Sequence, residues 1–326
     1  MVVTGASSGI GRATAHAFAA RGDAVVLAAR SASTLHEVAE ECRAAGGRAL
    51  VVPTDVTDPA AVQALVGRAV QEYGRIDVWV GAAASWSLGR FEDTPADVFR
   101  QSLETTFFGH VHAARALLPQ LRSQGHGVIV HIVSVYGRLA TPHVASYVAA
   151  KWGLAGFSEV LRHELRDAPG IAVCTVLPGS VDTPIYRHAA NYTGRRIRPV
   201  PPVLRPERVA EAVVRLADRP RPEVVVGRVH HLAAWTHDRA PWLYDRFIPA
   251  VDAVMVGRWP ATPHDGTVLE PSPATNAVGG GWRRHDRRVV VGAGMVGLAL
   301  ASGVRRVRTA LRGNASGDET VIPPRV

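Results

Sequence analysis

The sequence predicts a doubly wound α/β fold: a parallel sheet of about seven strands with helices on both faces, and a C-terminal tail outside the core. Three observations carry that prediction. Short β-branched runs alternate with helix-like stretches from residue 1 to about residue 226. The runs are continuously apolar rather than alternating, which is the pattern of strands covered on both faces. The first run also passes directly into a glycine-rich turn that opens a helix, the order of a nucleotide-binding unit.

The elements follow in order. "MVV" (1–3) is the first strand, short against a mean of roughly five or six residues, so it is either truncated or begins upstream. A helix over 9–21 leads to "AVVLAA" (24–29), and a helix over 32–45 leads to "RALVVP" (48–53). A helix over 59–73 precedes "IDVWVG" (76–81), and a long helix over 96–122 precedes "GVIVHIVS" (127–134). A helix over 144–167 precedes "IAVCTVLP" (171–178), and one over 206–218 precedes "PEVVVG" (222–227). Residues 228–258 read as further helix carrying Trp235, Trp242, Tyr244 and Phe247. Residues 1–258 therefore form one domain, 259–281 a Pro/Gly-rich linker and 282–326 a basic tail.

Composition narrows the classes. Hydrophobic residues make up 47% and charged residues 20%, as in ordinary globular proteins. Of the net +9 charge, most sits in the tail, where nine arginines face three acids; the body is near neutral, and no nucleic-acid partner is expected. Two cysteines, Cys42 and Cys174, and histidines without ligand spacing give no disulfide framework and no metal site. No secretory signal opens the chain, which suggests a cytoplasmic protein. In the tail, "VVVGAGMVGLALASGV" (289–304) holds a second GxGxxG, but too little chain follows to build another nucleotide site. It reads as a short membrane-associating helix with arginine flanks, below the ~17–25 residues of a comfortable span, or as a disordered or packed tail.

The first glycine motif is better placed. In "TGASSGIGR" Gly5 suits the tight turn, Gly9 a close approach of backbone to phosphate, and Gly11 close helix packing. Ser7, Ser8 and Ile10 lie on the loop and first helical turn, whose free N–H groups face a pyrophosphate. A NAD site normally closes the second strand with a carboxylate for the ribose 2′-OH. Here the strand ends in Arg30, which suits a 2′-phosphate through charge-assisted hydrogen bonds. NADP(H) is the preferred cofactor and NAD(H) the second choice. A further anomaly is Lys151, the one lysine among 37 basic side chains, four residues after Tyr147.

Taken in register, these residues resemble the classical short-chain dehydrogenase/reductase family, which has a Rossmann fold, over residues 1 to about 226. "TGASSGIG" (4–11) matches its TGxxxGxG, and Asp55 in "TDVTD" matches the acid placed near adenine. Ser134, Tyr147 and Lys151 match the catalytic serine and YxxxK. "LPGSVDTP" (177–184) matches the PG motif through Pro178 and Gly179, with Thr183 at the nicotinamide carboxamide. The resemblance implies hydride transfer between nicotinamide and a small-molecule carbonyl or alcohol, by a homo-oligomer. Tyr147 would move the proton on oxygen and Ser134 would stabilise that oxygen. Lys151, one helical turn from Tyr147, would lower a phenol pKa of ordinarily about 10 and also bind the nicotinamide ribose. A compact ammonium does both better than a planar guanidinium, which explains a lysine in an arginine-rich chain.

Two positions depart from the family. "GAAA" (81–84) has lost both asparagines of NNAG, and Thr106 stands where the family has a catalytic asparagine. A threonine hydroxyl can still hold a water of the proton relay, with fewer hydrogen-bond sites. The departures keep open an alternative, a non-catalytic dinucleotide-binding sensor or scaffold. Specificity is expected in the segment 179–205, a lid-like loop with Tyr186 and Tyr192. Arg195, Arg196 and Arg198 there are either a solvated basic stretch or contacts to an anionic substrate. Trp86, Tyr136 and Leu139 are expected nearby, favouring an apolar or aromatic carbonyl.

Overall fold

The computed structural model describes residues 1–283. Seven strands form the central sheet: β1 (Val2–Thr4), β2 (Ala24–Ala29), β3 (Arg48–Pro53), β4 (Val78–Gly81), β5 (Gly127–Ile132), β6 (Ile171–Pro178) and β7 (Glu223–Val226). Their order is β7-β6-β5-β4-β1-β2-β3, and every neighbouring pair is parallel. The three-residue β1 is sufficient because it is central, with Val3 in register with Leu27 on one side and Val80 on the other. The order reverses between β1 and β4, which opens a crevice at the carboxyl ends of the strands.

Alternation along each strand sends side chains to opposite faces. Val3, Leu27 and Val80 pack under α1 (Gly9–Ala19), α2 (Ala32–Ala44) and a later helix over Pro206–Asp218. Val2, Val26 and Trp79 pack under α3 (Pro59–Tyr73) and the helices over Gly109–Gln124 and Ala145–Glu164. The boundaries have local causes. In α3 the Asp58 carboxylate accepts from the Ala60 N–H at 2.8 Å, Pro59 fills the first turn, and Gly74 closes the helix at φ 76°.

The single helix expected over 96–122 is divided into α4 (Ala96–Leu103), a π-helical turn (Glu104–Phe108) and α5 (Gly109–Gln124). A π-turn inserts one extra residue, a feature common beside functional sites, and here it carries the buried Thr106. After α6 (Ala145–Glu164) the segment expected as a loop holds α7 (Ile185–His188) and a short strand, Arg195–Ile197, antiparallel to Val256–Pro260. Arg195 and Arg196 are exposed on that strand, and the Arg198 Nε donates to the Val254 carbonyl at 2.8 Å. After α8 (Pro206–Asp218), the aromatic stretch forms α9 (Arg228–Arg239) and α10 (Pro241–Met255).

Residues 259–281 are not a free linker. Met1–Trp282 is one compact unit, and the Pro/Gly-rich stretch is fastened along it, beginning with the mutual backbone bonds of His264 and Asn191 at 2.8 and 3.1 Å. A chain without regular structure must still pair its N–H and carbonyl groups, and this one pairs them with the body. The expected apolar run 289–304 lies outside the described residues. Among the described residues no helix is long and apolar enough to cross a membrane.

Candidate active site

The loop between β1 and α1 is shaped by its glycines. A Cβ on Gly11 would stand 2.2 Å from the Gly5 carbonyl oxygen, and Gly9 has φ +53°. A Cβ on Gly9 would meet the Thr183 side chain at 3.1 Å, so two residues 174 positions apart in sequence share one spot. Ser7, Ser8 and Ile10 are half-buried around them. The helix is locked by Arg12, whose guanidinium grips Glu41 of α2 (Nη2–Oε1 2.5 Å) and holds that carboxyl below its ordinary range. Pro178 ends β6, and the Gly179 N–H donates to the Val226 carbonyl at 3.2 Å. Asp55 uses Oδ1 to accept from the Thr57 N–H and hydroxyl at 2.9 and 2.8 Å, closing the turn after β3. Arg30 leaves β2 with its guanidinium donating to the carbonyls of Thr267 and Leu269, at 2.9 and 3.4 Å.

Ser134, Tyr147 and Lys151 form a second cluster beyond the end of β5. Ser134 Oγ accepts from the Tyr136 N–H at 3.1 Å and lies close enough to the Tyr147 phenol to act on its acidity. The first turns of α6 carry Tyr147 and Lys151, both buried, with Lys151 Nζ 5.5 Å from the Tyr147 ring centroid. Its hydrogen bond goes to the Ile132 carbonyl at 2.7 Å. The expectation that the ammonium lowers the Tyr147 pKa does not hold in this geometry. Burial, with a smaller contribution from Tyr136, raises the phenol, against an opposing influence of the Ser134 hydroxyl. Burial likewise lowers Lys151 to about 7. Desolvation penalises the charged form of each group, so both are driven towards neutrality.

Thr106 is fully buried, and its hydroxyl is engaged twice with Ser85, donating to the carbonyl and accepting from the N–H, each at 3.0 Å. Its single proton is therefore unavailable to a relay water; the hydroxyl fastens the chain leaving β4. At Gly81, where the family places asparagine, a Cβ would lie 2.5 Å from Nδ1 of His110. His110 in turn meets His131 edge-on, centroids 5.1 Å apart, and His131 Nδ1 bonds the Ser158 hydroxyl at 2.8 Å. Burial pushes both imidazoles down, His131 to about 3.

An aromatic wall stands beside Tyr147. Trp86 lies 5.6 Å from it and Tyr136 6.1 Å, while Trp86 meets Tyr186 at 5.0 Å. Leu139, expected nearby, packs in a cluster with Val135, Tyr136, Val225 and Tyr244. Trp282 joins from the C-terminal side, 5.7 Å from Tyr186, with its indole N–H on the Thr183 carbonyl at 3.1 Å. Sequence reasoning missed Trp282 together with Asp182, which receives it, and missed the His110–His131 pair. The only signal for the pair was a glycine at the end of an apolar strand; nothing marked Trp282.

The family model described as short chain dehydrogenase matches residues 1–192. The chain belongs to the short-chain dehydrogenase family. Curated relatives of this short-chain dehydrogenase include an uncharacterized oxidoreductase of Bacillus subtilis, YxnA, 32% identical over 77% of this chain and 71% of its own. The cis-4-hydroxycyclohexanecarboxylate dehydrogenase of Sinomonas cyclohexanicum is 37% identical over 66% of this chain and 88% of its own. Among solved structures, an alcohol dehydrogenase of Thermococcus sibiricus complexed with 5-hydroxy-NADP superposes with a TM-score of 0.61 at 28% identity, covering 70% of this chain and 96% of its own. This short-chain dehydrogenase is thus an oxidoreductase of the dehydrogenase/reductase type.

Proposed function

We propose that the protein is a nicotinamide-dinucleotide-dependent carbonyl reductase or alcohol dehydrogenase, acting on an apolar small molecule with NADP(H) preferred. The observation that carries this is the joint burial of Ser134, Tyr147 and Lys151, with Lys151 Nζ 5.5 Å from the Tyr147 ring centroid and an aromatic wall alongside. The cradle fits a dinucleotide: Gly9 and Gly11 let the turn close against Thr183 and Gly5 where a Cβ would not fit, and α1 directs its N-terminus there. Arg30 without an acidic neighbour at the end of β2 supports a 2′-phosphate. The relative solved with an NADP analogue and the relative named for a cyclic hydroxy acid are consistent with this chemistry.

When bound, the nicotinamide supplies or accepts the hydride. In the reductive direction Tyr147, whose phenol pKa burial raises, donates its proton to the substrate carbonyl oxygen. Ser134 donates to the same oxygen and stabilises its developing charge. Lys151, poised near pH 7, replenishes the proton on Tyr147 and binds the ribose hydroxyls. Asp55, Pro178, Gly179 and Thr183 line the cofactor's adenine and nicotinamide ends. The exposed Phe108, Trp152 and Val160 on the π-turn and α6 support a homo-oligomer.

A titration with NADPH and NADH, followed by a carbonyl panel, tests this reading. Tyr147→Phe should lower turnover by about 10²–10⁴-fold while cofactor binding stays nearly intact. Arg30→Asp should invert the ratio of NADPH to NADH affinity. The ratio is the readout, because Arg30 also holds the chain at Thr267. Full activity in Tyr147→Phe would end the mechanism. Cofactor binding without turnover on any carbonyl would leave the non-catalytic sensor.

A further inference from the structure

We propose that residues 266–282 are an internal occupant of the dinucleotide cleft, a strap that the cofactor must displace in order to bind. The proposal rests on the cofactor reading above, because the groups the strap holds include Gly9, Arg30 and Thr183, assigned there to the dinucleotide.

The strap meets those groups in the order a dinucleotide would. Thr267 and Leu269 give their carbonyls to Arg30, at the position of an adenosine ribose. Asn276 then accepts from Arg12 at 3.5 Å and donates its side-chain amide to the Thr34 hydroxyl at 3.2 Å. Ala277 accepts the Gly9 N–H at 2.8 Å, at the helix N-terminus where a pyrophosphate would lie. Finally the N–H groups of Gly280 and Trp282 donate to Asp182 Oδ1 at 3.0 and 2.8 Å, and the Trp282 indole N–H donates to Thr183 at the nicotinamide end. A backbone N–H has one proton, so Gly9 serves Ala277 or a phosphate, not both.

The strap is built to let go. It is anchored at its start by Tyr192, whose hydroxyl donates to Asp265 Oδ1 at 2.5 Å, and by Val268, buried against Val98 and Ala190. Beyond that point a single short 3₁₀ turn (Pro273–Thr275) interrupts irregular chain, and the hold on the cleft is a series of separate hydrogen bonds, through peptide carbonyls at Arg30, Arg12, Gly9 and Thr183 and to side chains at Thr34 and Asp182. Such contacts open at a lower free energy than the core. Carbonyls are weaker acceptors for Arg30 and the helix N-terminus than phosphate is. Tethering compensates by giving the strap a high effective concentration. The apparent cofactor affinity is then the intrinsic affinity scaled by the fraction of molecules with the strap released.

The test uses the full chain. Hydrogen–deuterium exchange across 264–282 is followed by mass spectrometry with and without NADPH, and NADPH and NADH affinities are measured by calorimetry. A second protein carries Gly266→Val and Gly280→Val. A Cβ at 266 would stand 2.2 Å from the His188 carbonyl oxygen and one at 280 would stand 2.4 Å from that of Thr183, so the strap cannot seat. NADPH should raise exchange across the strap in wild-type protein. The double variant should bind NADPH about tenfold more tightly, the gain for a strap closed about nine-tenths of the time. NADPH binding with strap exchange unchanged or reduced overturns the strap and leaves the cofactor reading standing, as does equal affinity in a folded double variant. Failure of both proteins to bind either dinucleotide overturns the cofactor reading and the strap with it. Should the double variant not fold, the exchange measurement on wild-type protein decides alone.

Discussion

Lys151 shows how far burial alone reshapes a residue. Its amine is 1% exposed, and burial lowers its pKa from 10.5 to about 7. In the unfolded chain the amine binds a proton up to about pH 10.5, whereas in the folded protein it releases that proton above about 7. Between those values the unfolded state binds more protons, so this group makes stability rise with pH; below about pH 7 its penalty is constant and at its full size. Lys151→Met removes the titration. The variant should be most favoured relative to wild type at pH 7 or below, and its advantage should shrink by up to about 1.4 kcal/mol per unit as pH rises towards 9.5. Urea unfolding of both proteins from pH 6 to 9.5 measures this, and a pH-independent difference would refute it. The resemblance anticipated a charged lysine depressing the phenol; what the sequence withheld was the degree of burial, which reverses the sign for Tyr147.

The end of β4 and the start of α5 solve one packing problem together. Loss of a side chain at Gly81 is matched by the imidazole of His110 from α5, which fills the same volume. Gly81→Ala should therefore destabilise the protein by about 1–3 kcal/mol through overpacking. In a His110→Ala background the same methyl should cost far less, giving a coupling energy of about 0.5–3 kcal/mol in a double-mutant cycle by chemical denaturation. Additive losses would show that the two positions do not share space. From sequence, "GAAA" was legible only as a departure. Its partner lies 29 positions away on another element, and a single chain does not announce such a compensation.

For the molecule as a whole, Trp79 at the centre of the sheet ties β4 to the α3, α5 and α6 side of the core and is 1% exposed. Trp79→Ala should cost about 3–5 kcal/mol by cavity formation. Trp79→Phe should cost clearly less, because the indole N–H it removes is buried and has no hydrogen-bond partner in the structure. Equal losses for the two variants in urea unfolding would contradict this account. At this scale the C-terminal Pro/Gly-rich stretch also changes meaning, from a connection between parts to a component of the compact unit.

The sequence by itself determined the parallel sheet, the helices on both faces and the cradle at Gly5–Gly11, because strand hydrophobicity and turn chemistry are local properties. The family resemblance, carried by motifs at one strand end and on one helix, brought Ser134, Tyr147 and Lys151 forward. Tertiary structure alone decided the rest. The burial that neutralises Tyr147 and Lys151, the fit of His110 to Gly81, the double engagement of Thr106 with Ser85, and the seat of Trp282 on Asp182 and Thr183 all join residues distant in the chain. Such pairings depend on volume, desolvation and unpaired backbone groups meeting in space, and no periodicity encodes them.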